Sequence, residues 1–141
     1  MNVTVLRSTF AELAPHADDV ARAFYARLFS TWPQARPLFT ETDFTEQRRK
    51  LMASVAAVVA AVDKPEALAP ALQSLGRRHG EIGIQPRHYQ WVSAAMLATL
   101  SDRFGERWTP EVAHTWDEAL HVVSQSMIAA HGDVGAAAKT R

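Results

Sequence analysis

Residues 75–100 read LGRRHGEIGIQPRHYQWVSAAMLATL, and this stretch combines two helical patterns with a short break between them. In the first pattern Leu75, His79 and Ile82 recur at steps of three and four residues, which places them on one face of a helix. The second pattern begins at Pro86, a residue type that is favoured in the first turn of a helix. The stretch therefore predicts two consecutive helices, the first with a histidine on its apolar face.

Helical periodicity extends over most of the remaining chain. Prolines and capping residues mark the breaks between the periodic segments. We predict helices over residues 18–32, 45–62, 65–82, 86–100 and 109–127. The predicted fold class is all-α, a helical bundle of one domain over residues 1–131. The small and polar residues 132–141 are expected to form a frayed tail.

The composition limits the classes of protein and partner. A chain of 141 residues, of which 48% are hydrophobic, is long enough to bury one core. Its 15 basic and 15 acidic residues balance, so we expect neither nucleic acid nor an anionic membrane surface as a partner. The chain contains no cysteine, which excludes disulfides and thiolate chemistry within it. Because it shows neither a secretory signal pattern nor an apolar run of roughly 20 residues, we expect a cytoplasmic protein.

The polar residues within the helical patterns have ordinary explanations when each is taken alone. A histidine such as His79 on an apolar face is usually a hydrogen-bonded core residue. Tyr25 fits a core tyrosine, and Gln47 fits a surface glutamine. The other five histidines do not form the close helical pairs of a zinc site, and no nucleophile-elbow motif surrounds a serine. Periodicity alone therefore leaves the function open.

Four sequence segments, taken together and in their order along the chain, are specific enough to indicate a protein family. They are FYARLFSTWPQARPLF at 24–39, EQRRKLM at 46–52, LGRRHGEIGIQPRHY at 75–89 and WVSAAMLATL at 91–100. In order and spacing they closely resemble the bacterial single-domain globins and the globin part of flavohaemoglobins, over nearly the whole chain. The resemblance implies a globin fold over residues 1–131 that encloses haem b, an iron protoporphyrin.

The resemblance assigns four residues to the distal side of the haem, where a gas ligand binds. Tyr25 matches the family's distal tyrosine, whose hydroxyl points at the ligand. Gln47 matches the glutamine of the distal helix, and Leu51, one turn later, roofs the pocket. Phe39 matches the globin phenylalanine that packs flat against the haem.

The alignment of the distal helix rests on helical spacing. The loop after Phe39 is shorter than in flavohaemoglobins, and Arg48 lies next to the assigned glutamine. Gln47 is preferred because Leu51 and Val55 then fall on the same helical face.

The resemblance assigns His79 as the proximal ligand of the iron, and its chemistry agrees. A neutral imidazole is a strong fifth ligand for haem iron when it projects from an apolar wall. Arg78 and Lys50 are candidates to meet the haem propionates, with solvated charges as an equal alternative. The residues expected to form the wall are Leu72, Leu75, Ile82 and Ile84.

The proximal side departs from the family pattern at one position. Flavohaemoglobins pair the proximal histidine with a tyrosine and a glutamate that draw on its second nitrogen. Tyr89 keeps the tyrosine, but His131 stands at the glutamate position, and Asp133 is the only acid nearby. We therefore expect the strong carboxylate hydrogen bond to be missing and peroxidase-like oxygen activation to be weakened.

Two functions of different classes follow from the resemblance. The first is reversible, tight binding of dioxygen, nitric oxide or another diatomic gas at ferrous haem, with release too slow for bulk transport. The second is a nitric oxide dioxygenase that forms nitrate and depends on an external reductase, since the six glycines form no dinucleotide fingerprint. A helical interaction module without a cofactor is the remaining alternative. The physiological ligand, the electron donor and the oligomeric state stay open at this point.

Overall fold

Six α-helices form the part of the chain that the computed structural model describes, which is residues 1–40 and 42–139, with side chains described to residue 131. No strand occurs in these ranges, so the all-α prediction is confirmed. Short 3₁₀ segments lie at Ala14–His16, Pro33–Phe39 and Gly105–Arg107. The helices are α1 Val3–Leu13, α2 Ala17–Thr31, α3 Phe44–Ala61, α4 Pro65–Glu81, α5 Pro86–Phe104 and α6 Pro110–Lys139.

Helix α1 was not among the predicted helices. Its start carries a capping signal, because the Asn2 side chain accepts a hydrogen bond from the backbone N–H of Val5 at 3.1 Å. Packing then holds the helix in place, since the indole N–H of Trp116 in α6 donates to the hydroxyl of Thr9 at 3.0 Å. An 11-residue helix is too short to be stable alone in water, so α1 depends on this packing.

Helix α3 begins at a well-formed cap. The Asp43 carboxylate accepts hydrogen bonds from the backbone N–H groups of Thr45 at 3.0 Å and Glu46 at 3.4 Å. The cap fixes the first turn of α3, so Phe44 and Gln47, three residues apart, lie on one face. That face meets α2 at the candidate site.

The buried side chains form two groups. The main cluster joins α1, α2, α3, α5 and α6 and includes Leu6, Phe24, Leu28, Leu100 and Trp116. The second cluster consists of Leu68, Leu72, Tyr89 and Met127, contributed by α4, α5 and α6. Helix α3 contacts both, because Leu51 and Val55 pack against the main cluster, and Val58 and Ala61 pack against the second.

Helices α4 and α6 approach each other closely at two glycines. A Cβ atom at Gly76 would lie 2.5 Å from the backbone oxygen of Met127, well inside contact distance. At Gly80 it would lie 3.3 Å from the ring of His131. Only a residue without a side chain permits this spacing at Gly76, and the close approach fixes the turn of α4 that carries His79.

The prediction of a frayed tail falls on residues 132–141. The structure does not describe the side chains of these residues, and residues 140 and 141 lie outside the described part entirely. Within the described helices, none is both long enough and apolar enough to cross a membrane.

Candidate functional site

Tyr25 and Gln47 form a hydrogen-bonded pair between α2 and α3. The side-chain amide N–H of Gln47 donates to the hydroxyl oxygen of Tyr25 at 3.1 Å. Tyr25 is only 6% exposed. Since the tyrosine oxygen accepts in this contact, its own proton remains available to a further acceptor.

Burial keeps the Tyr25 hydroxyl protonated. Desolvation raises the pKa of Tyr25 above its ordinary value of 10.0, and the hydrogen bond from Gln47 opposes this only in part. At neutral pH the group is therefore a phenol that can donate a hydrogen bond, and not a phenolate.

Four phenylalanine rings surround Tyr25. The ring centroids of Phe24, Phe44 and Phe39 lie 4.9, 5.4 and 5.7 Å from that of Tyr25, each in an edge-to-face arrangement. The Phe29 ring stacks at 6.0 Å. The hydroxyl of Tyr25 and the amide of Gln47 are thus the polar groups of a largely aromatic site.

Phe44 was not selected from the sequence. The signal was present, because it precedes the assigned Gln47 by three residues and therefore shares its helical face. Arg48, which follows Gln47 in the chain, does not contact Tyr25 and forms an ion pair with Asp18 of α2 at 2.8 Å. The structure thus places Gln47 against Tyr25 and leaves Arg48 in an ion pair.

His79 has a defined tautomer. Its Nδ1 atom lies 2.7 Å from the carbonyl oxygen of Leu75, one turn earlier in α4. Because a carbonyl oxygen only accepts, Nδ1 carries the proton and donates it. The lone pair of Nε2 is then free to bind a metal, and the donated bond fixes the ring orientation.

Near His79, a second polar contact joins the side chains of Tyr89 and His131. The Tyr89 hydroxyl and His131 Nε2 are 2.7 Å apart, and the ring of Tyr89 lies 6.4 Å from that of His79. Burial raises the pKa of Tyr89 to about 12. Burial first, and the neighbouring His79 second, lower the pKa of His131 below 6.5, so it is neutral at pH 7. A neutral imidazole therefore occupies the position where the resemblance implies a carboxylate, and the side chain of Asp133 lies outside the described residues.

The remaining predicted site residues fall into two groups. Leu72 is buried, and Leu75 and Ile84 are half-buried against the second cluster. Ile82, also expected in that wall, is 72% exposed, and Arg78 and Lys50 are exposed as well. Among residues 1–40 and 42–131, no side-chain hydrogen bond or ring contact joins Tyr25 and Gln47 to His79 and Tyr89. The distal and proximal residues thus form two separate sets, and α3 packs against both clusters.

The chain belongs to the globin family, whose family model matches residues 22–127. It is 28% identical over 134 residues to a flavohemoprotein of Bacillus subtilis, which covers 94% of this chain and 34% of that protein. A flavohemoprotein of Xylella fastidiosa is 32% identical over 124 residues, which covers 86% of this chain and 31% of that protein. The chain therefore spans about one third of the length of the curated relatives it matches.

Solved structures agree with the fold. An engineered carbene transferase from Rhodothermus marinus, for which nitric oxide dioxygenase activity is proposed, superposes with a TM-score of 0.85 at 23% identity, covering 97% of this chain and 95% of that one. A bacterial globin from Campylobacter jejuni gives a TM-score of 0.81 at 17% identity, covering 94% and 95%. At these identities the likeness establishes the globin fold alone.

Proposed function

We propose that this globin holds haem b through Nε2 of His79 and binds a diatomic gas, dioxygen first, beside Tyr25 and Gln47. The observation that carries the proposal is the direction of the Gln47–Tyr25 hydrogen bond, which leaves the tyrosine proton free to donate. Relatives that are flavohemoproteins support haem as the group that is bound.

The residues present fit a haem group. His79 offers an imidazole whose Nε2 faces no hydrogen-bond partner among the described residues, since Nδ1 is committed to the Leu75 carbonyl. Half-buried apolar side chains from both clusters can cover a flat apolar macrocycle, namely Phe39, Leu51, Val55, Leu75 and Ile84. Bound haem supplies an iron coordination position for the gas, and the exposed Arg78 is a candidate partner for a propionate.

The distal residues supply hydrogen bonds to a ligand that gains negative charge. A phenol donates such a bond from Tyr25, and the Gln47 amide both orients the phenol and retains a second N–H. Hydrogen bonds to charged acceptors contribute about 1.5–3 kcal/mol each. We therefore propose tight binding with slow release, which suits sequestration, sensing or reaction of the gas better than bulk transport.

A nitric oxide dioxygenase is the second candidate function. This activity is proposed for the Rhodothermus marinus protein, and the relatives are flavohemoproteins of which this chain matches the globin region. The overall conversion of nitric oxide and dioxygen to nitrate consumes one electron, so a reductase is the partner that this candidate requires.

The test of haem binding compares two histidine variants. Wild-type protein reconstituted with haemin is expected to give a Soret band and, after reduction, a spectrum that changes on addition of carbon monoxide. His79→Ala should lose tight haem binding or retain haem only with added imidazole. His121→Ala, on an exposed position of α6, is the matched control and should behave as wild type. A His79→Ala protein with the wild-type ferrous spectrum would overturn the assignment.

A further inference from the structure

Phe44 lies at the junction of α2, α3 and the 3₁₀ segment Pro33–Phe39. It is the first residue of α3 and is half-buried. Its ring centroid lies 5.4 Å from Tyr25, 5.8 Å from Phe29 and 5.9 Å from Phe39. One ring therefore contacts three aromatic side chains of the distal site at once.

Two residues of α3 act on the same tyrosine. Phe44 meets the Tyr25 ring edge to face, with an interplanar angle of 80°, and Gln47 donates to the hydroxyl oxygen. Both residues lie at the start of α3, which the Asp43 carboxylate caps through the backbone N–H groups of Thr45 and Glu46. Both contacts with Tyr25 therefore come from the first turn of α3.

We propose that Phe44 determines ligand specificity at the distal site by limiting the size of the molecule that fits beside the Tyr25 hydroxyl. This inference rests on the proposed function, since it concerns the same gas-binding site. Edge-to-face contacts are favourable arrangements of aromatic rings, so they help to hold the Phe44 ring in place. Replacing Phe44 by alanine leaves a void bordered by Tyr25, Phe29 and Phe39.

The decisive measurement is the affinity of the reduced, haem-bound protein for ligands of graded size. Carbon monoxide, methyl isocyanide and tert-butyl isocyanide serve as the probes. In Phe44→Ala the affinity for tert-butyl isocyanide relative to carbon monoxide should rise by about 10- to 200-fold, the range in which apolar pockets discriminate small size differences. Phe44→Leu, which retains most of the side-chain volume, should give a smaller rise in the same direction.

A matched control separates this effect from general loosening of the core. Phe10 is half-buried against the same main cluster but lies in α1, so Phe10→Ala should leave the affinity ratio at its wild-type value. An unchanged ratio in both Phe44 variants, or an equal rise in Phe10→Ala, would overturn the proposal.

A measurement on the haem-free protein keeps the two proposals distinguishable. The chain has two tyrosines, Tyr25 and Tyr89, so ¹³C labelling at the tyrosine Cζ position gives two resonances that single Tyr→Phe variants assign. Phe44→Ala should start the ionisation of Tyr25 at lower pH, because water reaches the ring, and leave Tyr89 unchanged. If wild type binds no haem, the proposed function fails. If Tyr25 titrates identically in wild type and Phe44→Ala, the role of Phe44 fails.

Discussion

The direction of a single hydrogen bond decides what Tyr25 can do. If the tyrosine donated to the Gln47 carbonyl oxygen, its proton would be occupied and the site would offer a ligand one fewer donor. In the observed contact the Gln47 amide donates, and burial keeps the phenol protonated by raising the pKa of Tyr25. The pair therefore presents a preorganised donor in an aromatic, water-poor surrounding, where hydrogen bonds are stronger than in water.

Removing the Tyr25 hydroxyl should accelerate release of dioxygen. Loss of one charge-assisted hydrogen bond predicts that Tyr25→Phe raises the dissociation rate about 10- to 150-fold. Gln47→Leu should give a smaller rise, because the phenol keeps its proton and loses only its orienting partner. Stopped-flow displacement of dioxygen by carbon monoxide measures both rates, with His121→Ala, at an exposed position of α6, as the control. Equal rates in wild type, Tyr25→Phe and Gln47→Leu would show that neither residue faces the ligand.

With His131 in place of a carboxylate, we predict only a weak electronic influence on His79, the proposed proximal ligand. His131 is neutral at pH 7 and bonds the Tyr89 hydroxyl, and the Nδ1 proton of His79 is donated to a backbone carbonyl, a weaker acceptor than a carboxylate. The iron–histidine stretching frequency of the reduced protein should therefore lie below that of a flavohaemoglobin.

Replacing His131 by glutamate tests this expectation directly. His131→Glu should raise the stretching frequency in resonance Raman spectra and speed the cleavage of peroxide, if the carboxylate reaches the proximal network. His121→Glu adds the same charge at an exposed position and should change neither quantity. A wild-type frequency equal to that of a flavohaemoglobin, with no response to His131→Glu, would mean that another group completes the network.

At the scale of elements, the contact between α4 and α6 positions the proximal residues. Gly76 and Gly80 lie one turn apart on α4 and face Met127 and His131 of α6. Side chains at these two positions would push the helices apart, and His79 would move with α4. The second cluster beside this contact contains Tyr89, so the packing of three helices and the proximal polar groups are coupled.

The two glycines should respond differently to alanine. In an exposed helix interior, glycine to alanine stabilises a protein by roughly 0.5–1 kcal/mol. Gly76→Ala should instead destabilise by about 1–3 kcal/mol, because the new Cβ would meet the Met127 backbone oxygen at 2.5 Å. Gly80→Ala should cost less, since its 3.3 Å contact is with the side-chain ring of His131, which can shift. Urea denaturation of the haem-free protein measures both changes, and a stabilised Gly76→Ala would contradict the close approach.

Over the whole molecule, the sequence predicted what depends on local chemistry. The five predicted helices correspond to α2–α6, because their faces follow helical spacing and the starts of α3–α6 carry proline or capping residues. Helix α2 begins at Ala17 without a side-chain cap. The resemblance placed Tyr25 and Gln47 on the same side of the candidate site, but the hydrogen bond between them emerges only from the structure. The sequence did not predict α1, whose stability comes from contacts with α6 more than 100 residues away in sequence.

Two site features also lay beyond sequence reasoning because they depend on contacts between distant segments. Phe44 becomes part of the site only when α2 brings Tyr25 and Phe29 against the first turn of α3. The exposure of Ile82 was likewise not evident, since helical spacing placed it on the same face as Leu75. Periodicity gives the face of a helix but not its last residue: α4 ends at Glu81, so Ile82 is the C-cap residue and lies outside the helical face.

The whole molecule also determines how a nitric oxide dioxygenase reaction would depend on a partner. Conversion of one nitric oxide and one dioxygen to nitrate would consume one electron, and an external reductant would have to replace that electron before the next conversion. Reduced protein in air, mixed with nitric oxide, should therefore form about one equivalent of nitrate per haem and then stop. Addition of a flavin reductase with NADH should restore continuous consumption of nitric oxide, measured with a nitric oxide electrode.

Tyr25→Phe should lower the yield of nitrate in the single turnover, because dioxygen leaves before nitric oxide arrives. Sustained consumption without any reductant, or no nitrate in the single turnover, would exclude the dioxygenase and leave gas binding as the function.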